Sequence, residues 1–253
     1  MRLKMLACKV FFREVSLIAA VSENYVDVTY IRQGLHNTPD LLRKVLQAEI
    51  DKIDNGDDVY TYKSRYDYKE RDFDAILLGY GLCSNGLVGL NSKKYPLVAP
   101  RTHDCIALFL GSHQTYQDYF NTHGGTYWYN ASWIENSSFM PSEESEKALS
   151  AIYTERYGEE GAQFLLEQEW PDSYERCVYI KWDEMNFPQY EKYTKDAADY
   201  LGVNFDVVQG DSGMLRDFIN GNWDEDRFLV TQPGQKIIAD YSDSQQIITA
   251  EWQ

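Results

Sequence analysis

Short apolar runs alternate with amphipathic stretches along most of this chain. Residues 1–10 are mostly apolar and lack polar alternation, so they read as an inner strand ending near Cys8. Residues 10–21 follow as a helix that gathers Phe11, Val15, Ile18 and Ala19 on one face. Residues 25–31, β-branched and aromatic, read as a second strand. Asn37-Thr38-Pro39-Asp40 has the chemistry of a helix start, with Asn37 or Thr38 as cap and Pro39 in the first turn. Leu41, Leu42, Val45, Leu46, Ile50 and Ile53 then recur at three-four spacing until Asn55-Gly56 ends the helix. The apolar run 73–78 has acidic Asp72 and Asp74 at its start and reads as a buried parallel strand. It empties into Gly79-Tyr80-Gly81-Leu82-Cys83-Ser84-Asn85-Gly86. Glycines there let the backbone turn sharply and let a ligand approach the amides.

The alternation continues beyond that turn. Residues 97–99 read as a short strand and 104–110 as a helix capped by Thr102 or Asp104. A helix is expected over 112–120 and a strand over 127–129. Residues 142–157 and 161–169 look helical and rich in exposed Glu. Strand 178–182 is followed by helix 190–201, which Gly202 closes. Strand 205–209 leads into Gly210-Asp211-Ser212-Gly213 and helix 214–219, ended by Asn220-Gly221. Residues 228–231 form one more strand; 237–238 and 247–248 are edge strands or late helical turns. Residues 59–71 are rich in Tyr and charge without a period and read as a surface segment. The pattern predicts an α/β fold: a mostly parallel, Rossmann-like sheet with helices on both faces. It forms a single unit over 1–253, or two intimate lobes around a cleft, divided near 127–141.

Charge narrows the function classes. Forty acidic against 24 basic residues leave a formal net charge of −16. Nucleic acids and anionic membranes need clustered Lys and Arg, so neither is an expected partner. No apolar run approaches the ~20 residues that span a bilayer. Met1-Arg2-Leu3-Lys4 leads straight into a strand without a small-residue cleavage site, so a cytoplasmic location is expected. The four cysteines then read as thiols or metal ligands rather than disulfides.

Ligands collect beyond the carboxyl ends of parallel strands, where the strand order reverses. Cys8, Cys83 and Cys105 each fall where a predicted strand gives way to a turn or helix. The expectation is that they share one rim. Cys105 in the first turn of a helix, and Cys83 in a turn with free amides, both favour thiolate, the form that binds metal. His103 stands two residues from Cys105 as a fourth ligand, or as a loop histidine bonded to backbone. Three thiolates suit Zn²⁺ with an open position, and equally an iron–sulfur cluster with one iron unligated. Arg101, with Gly79, Gly81, Ser84 and Asn85, is a candidate anion or substrate holder, as is the turn of Gly210, Asp211 and Ser212. The competing readings are an ion pair for Arg101 and helix capping for Asp211 or Ser212. Glu14 and Asp104 are candidate acid–base groups, Glu14 being equally a residue of a solvated helix face. Cys177 starts a strand away from this edge and is assigned to packing. Gly86 falls one residue late for a dinucleotide fingerprint, and no hydrolase or kinase signature occurs.

Gly79-Tyr80-Gly81-Leu82-Cys83-Ser84-Asn85-Gly86 and Pro100-Arg101-Thr102-His103-Asp104-Cys105-Ile106 resemble the family designated domain of unknown function 1638. The likeness extends to Ala7-Cys8 and Gly221-Asn222-Trp223-Asp224. The resemblance implies an anaerobic bacterial or archaeal protein associated with corrinoid-dependent methyltransferases and one-carbon metabolism. It carries no catalytic assignment. Two roles follow as expectations: a metal protein in or near methyl transfer, such as a zinc-dependent methyltransferase acting on a small molecule, or an accessory partner of a corrinoid methyltransferase protein. Zinc methyltransferases that hold the ion by a His-x-Cys pair and a distant Cys are similar to His103, Cys105 and Cys83, by analogy only.

Overall fold

A computed structural model describes residues 1–57, 72–137, 139–169, 173–241 and 247–252. The expected surface segment 59–71 lies outside these. The chain divides into two compact units, residues 1–113 with 212–253, and residues 114–211. Residues 127–141 therefore lie inside the second unit, which is spliced into the chain of the first.

In the first unit, β1 (Arg2–Cys8) leads through a short 3-10 turn into α1 (Phe12–Val21), followed by β2 (Tyr25–Ile31) and α2 (Pro39–Asn55). Next come β3 (Ala75–Gly79), β4 (Leu97–Pro100) and α3 (Ile106–Leu110). The second unit holds α4 (His113–Thr122), which begins at its border, β5 (Thr126–Tyr129), α5 (Ala131–Asn136), α6 (Glu143–Glu169), β6 (Arg176–Lys181), α7 (Pro188–Leu201) and β7 (Asn204–Gln209). The chain then returns to the first unit with α8 (Gly213–Asn220), β8 (Phe228–Val230), β9 (Gln235–Ala239) and β10 (Ile248–Trp252).

The main sheet has the order β2-β1-β3-β4-β8. Its first four strands are parallel and β8 is antiparallel to β4. β1 is buried along its length except at Arg2, and β3 is buried throughout, which is why neither shows polar alternation. Strand order reverses between β1 and β3, and Ala7 pairs with Gly79 at their carboxyl ends. That edge is the expected ligand crevice of an open parallel sheet. β9 and β10 form a separate antiparallel pair, so both late segments are strands. No helix among the described residues is long and apolar enough to cross a membrane.

Helix α2 buries Leu42, Leu46, Ile50 and Ile53, while Leu41 of the same apolar series is exposed. The helix also ties down the long β3–β4 connection. Arg43 donates to the Asn85 carbonyl at 3.0 Å, and Gln47 exchanges hydrogen bonds with the backbone of Asn91. Asp54 accepts from the Ser92 hydroxyl at 2.6 Å and the Lys93 amide at 2.7 Å. Leu46 is fully buried on the inner face of this helix. Leu46→Ala is expected to cost about 2–5 kcal/mol of stability, read from the denaturant midpoint.

The second unit carries the parallel sheet β5-β6-β7. Cys177 is fully buried there with Tyr129, Tyr179, Ala197 and Ala198. Its thiol lies 3.9 Å from the Tyr129 hydroxyl, and burial pushes it up to about 11. It is a packing residue, as the sequence suggested.

Candidate thiol site

Cys8 ends β1, Cys83 follows β3, and Cys105 stands just before α3 beyond the end of β4. The Cys83 and Cys105 sulfurs are 3.7 Å apart. Cys8 lies close enough to Cys105 that charge on one opposes charge on the other. The ends of β1, β3 and β4 thus each lead to a thiol, and two of the three sulfurs, those of Cys83 and Cys105, are in contact. All three cysteines are free thiols. Among the described residues no group of three or more His, Cys, Asp or Glu is placed so that it could hold a metal ion.

Two loops are pinned together to make the close pair. The Leu82 amide donates to the Thr102 carbonyl at 2.8 Å and the Cys83 amide to the His103 carbonyl at 3.1 Å. The Gly86 amide donates back to Leu82 and Cys83. These amides are committed to the fold, so the expectation of free amides at Cys83 is corrected. Cys83, Ser84 and Asn85 all have positive φ, at 47°, 56° and 66°. Each such non-glycine residue costs about 1–2 kcal/mol, so the surrounding contacts hold a wound, left-handed turn against its own preference.

Gly81 explains how the loops approach. A Cβ on it would lie 2.6–2.7 Å from the backbone of Asp104. A Cβ on Gly79 would meet Met5 and Ala7 of the neighbouring strand. Both glycines admit the protein's own chain rather than a ligand, which corrects their reading as anion-binding positions. Ser84 is exposed. Asn85 is engaged by Arg43 at its carbonyl and by the Tyr241 hydroxyl at its side chain.

The electrostatics also differ from expectation. Burial, then the neighbouring Cys105, pushes Cys8 up to about 12, although the Val10 and Lys9 amides hydrogen-bond to its sulfur and oppose the rise. Cys105 is raised well above the ordinary thiol value by the Cys83 hydrogen bond, burial and Cys83 charge, opposed by the Gly81 amide. Without a compensating cation, desolvation and thiol–thiol proximity outweigh local amides, and both groups stay protonated. The thiolate character predicted for Cys105 is therefore not a property of this residue without a cation.

The remaining candidates are placed as follows. His103 is exposed, its ring 5.2 Å from that of His113 and its carbonyl bonded to Cys83. Asp104 accepts from the Ile106 amide at 2.8 Å in the turn before α3, whose N-cap position is Cys105, and its charge acts on half-buried His36. Arg101 donates to the carbonyls of Glu225, at 2.9 Å, and Ile248, so it braces the backbone where an anion-holding role was expected. Glu14 is buried at 2% exposure in the first turn of α1, not on a solvated face, and its charge acts on Tyr30. Gly210 follows β7 with its amide bonded to the Lys181 carbonyl, and Asp211 is exposed. Ser212 receives the Arg216 side chain at 3.1 Å and its carbonyl accepts the Arg216 amide. The first two residues close the second unit and Ser212 opens the returning segment of the first.

Sequence reasoning passed over Tyr80. It is 3% exposed, and its hydroxyl is buried with no hydrogen-bond partner. Burial raises its pKa most, followed by the charges of Cys8, Cys105 and Cys83 in that order. A buried unsatisfied hydroxyl costs roughly 1–3 kcal/mol, an expense the fold bears next to its thiols. The sequence did not set it apart, since an aromatic between two glycines after a buried strand reads as packing.

No curated protein and no solved structure matches the chain. A family model described as Protein of unknown function (DUF1638) matches residues 30–219, which include Cys83 and Cys105 and begin after Cys8. That span is well over half of the sequence, and the chain belongs to this family.

Proposed function

We propose that the protein binds one thiophilic metal ion, zinc foremost, through Cys8, Cys83 and Cys105, and acts in or near corrinoid-linked methyl transfer. The observation that carries the metal reading is the 3.7 Å separation of the Cys83 and Cys105 sulfurs. Two thiolates at about 2.3 Å from one tetrahedral zinc lie about 3.8 Å from each other. A four-iron cluster places each thiolate on a different iron and spreads the sulfurs wider, so the spacing favours a single ion. Two of the three sulfurs already receive backbone N–H groups, from Lys9 and Val10 at Cys8 and from Gly81 at Cys105. Amides aimed at sulfur stabilise thiolate charge and keep a ligand's orientation. A bound cation would supply the positive charge that the buried thiols lack, displacing their protons and drawing Cys8 toward the close pair. When bound, such an ion acts as a Lewis acid on a thiol or water in its remaining position. The placement in methyl transfer rests on the family resemblance.

Elemental analysis after anaerobic purification tests this reading. About one zinc per chain is expected. Protein without zinc or iron contradicts the metal site, and iron with broad absorption near ~400 nm replaces the single ion by a cluster. A corrinoid methyltransferase protein that co-purifies equally well with wild-type chain and with Cys83→Ser would favour the accessory role.

A further inference from the structure

Cys83 and Cys105 are 22 positions apart in the chain, yet their sulfurs are 3.7 Å apart and both are free thiols. A disulfide holds its sulfurs at about 2.05 Å, so bond formation needs roughly 1.6 Å of closure. That lies within the swing of two cysteine side chains about their Cα–Cβ bonds. The backbones beneath them are already fastened to each other. The Leu82 amide bonds to the Thr102 carbonyl, the Cys83 amide bonds to the His103 carbonyl, and Gly81 lies against the Asp104 backbone. Contacts that do not involve sulfur thus hold the two thiols close together. The other two cysteines are engaged elsewhere. The Cys8 sulfur receives the Lys9 and Val10 amides, and Cys177 lies in the second unit against Tyr129. Access also differs within the pair: Cys83 is 8% exposed, and Cys105 is the more open of the two.

We propose that Cys83 and Cys105 form a redox-active dithiol, which a small-molecule disulfide oxidises reversibly to an intramolecular disulfide. Cys105, the more open thiol, gives its proton to water and attacks one sulfur of the small disulfide. The S–S bond of the oxidant breaks, one half leaves as a thiolate that takes up a proton, and the other half stays on Cys105. Cys83 then loses its proton, attacks the Cys105 sulfur and expels the second half as a thiol. Two electrons and two protons have passed from the cysteine pair to the oxidant, and a reducing thiol reverses both steps. This inference goes beyond the metal reading and needs two sulfurs rather than three. The bond would consume two of the three proposed ligands, so the oxidised chain could not hold the ion.

The experiment uses the reduced, chelator-treated full chain, incubated with oxidised glutathione, quenched with acid and alkylated after denaturation. Trypsin cuts at Lys93, Lys94 and Arg101, so the Cys83 and Cys105 peptides stay together only through a disulfide. Mass spectrometry is expected to find these two peptides linked, Cys8 and Cys177 alkylated, and the link undone by reduced glutathione in excess. Cys83→Ser is expected to stop at a mixed disulfide of glutathione on Cys105, because the thiol that resolves it is gone. Wild-type chain that keeps all four thiols, or that stops at glutathione mixed disulfides, would overturn the proposal. So would a link to Cys8 in the wild type, or glutathione carried on Cys8 instead of Cys105 in Cys83→Ser. Because the chain is metal-free throughout, none of these results depends on whether the protein binds zinc. A failure here would leave the metal reading to its own test.

Discussion

Cys83→Ser is expected to reduce zinc affinity by far more than 100-fold while leaving the fold intact. Loss of a group that merely hydrogen-bonds to a ligand already costs 10–100-fold, and Cys83 would be a ligand itself. Serine keeps the side-chain size, and its hydroxyl is neither soft nor ionised at neutral pH. The left-handed turn at Cys83, Ser84 and Asn85 is held by the Leu82–Thr102 and Cys83–His103 backbone bonds, which the substitution leaves in place. Equilibrium competition with a chelator reads the affinity, and far-ultraviolet circular dichroism reads the fold. Wild-type affinity in Cys83→Ser would remove this residue from the site and break the argument from the 3.7 Å pair.

Gly81→Ala is expected to weaken metal binding without touching a ligand. The added methyl would sit 2.6 Å from the Asp104 carbonyl carbon and 2.7 Å from its Cα. These are backbone atoms that cannot rotate away, so the loop bearing Cys105 must move off the loop bearing Cys83. Overpacking of this kind costs about 1–3 kcal/mol in stability. It also disturbs the Gly81 amide that donates to the Cys105 sulfur. Chelator competition and thermal unfolding should therefore both shift. An unchanged zinc affinity would mean that the close approach of the two loops is not what sets the thiol spacing.

Much of the fold was legible because local chemistry and tertiary context agree. Pro39 and Gly56 bracket α2 as their backbone preferences require, and Gly202 and Gly221 close α7 and α8 in left-handed caps. The approach of Cys83 and Cys105 followed from strand ends alone. What was not legible depended on contacts between distant segments. The direction of β8 is set by pairing with β4 across the whole inserted unit, and its sequence cannot distinguish parallel from antiparallel. The insertion itself leaves no compositional seam at His113 or Asp211. Helix α5 is too short for periodicity and is announced only by Asn130, whose side chain caps Trp133.

At the site, the same limit separates motif from role. Gly81 was read as space for a ligand, whereas its missing side chain makes space for Asp104. Arg101 looked like an anion clamp, but its donors serve carbonyls of two segments more than a hundred residues away. The helix-start argument for a thiolate at Cys105 considered only one local field, and burial beside a second thiol reverses its sign. Tyr80 was hidden because an aromatic between glycines looks like packing until its hydroxyl is seen to lack a partner.

X-ray absorption at the zinc edge of anaerobically purified protein tests the central claim most directly. Three sulfur scatterers at about 2.3 Å, with one lighter atom completing the shell, are the predicted result. A shell of nitrogen and oxygen alone would place the ion elsewhere and contradict a site built from Cys8, Cys83 and Cys105.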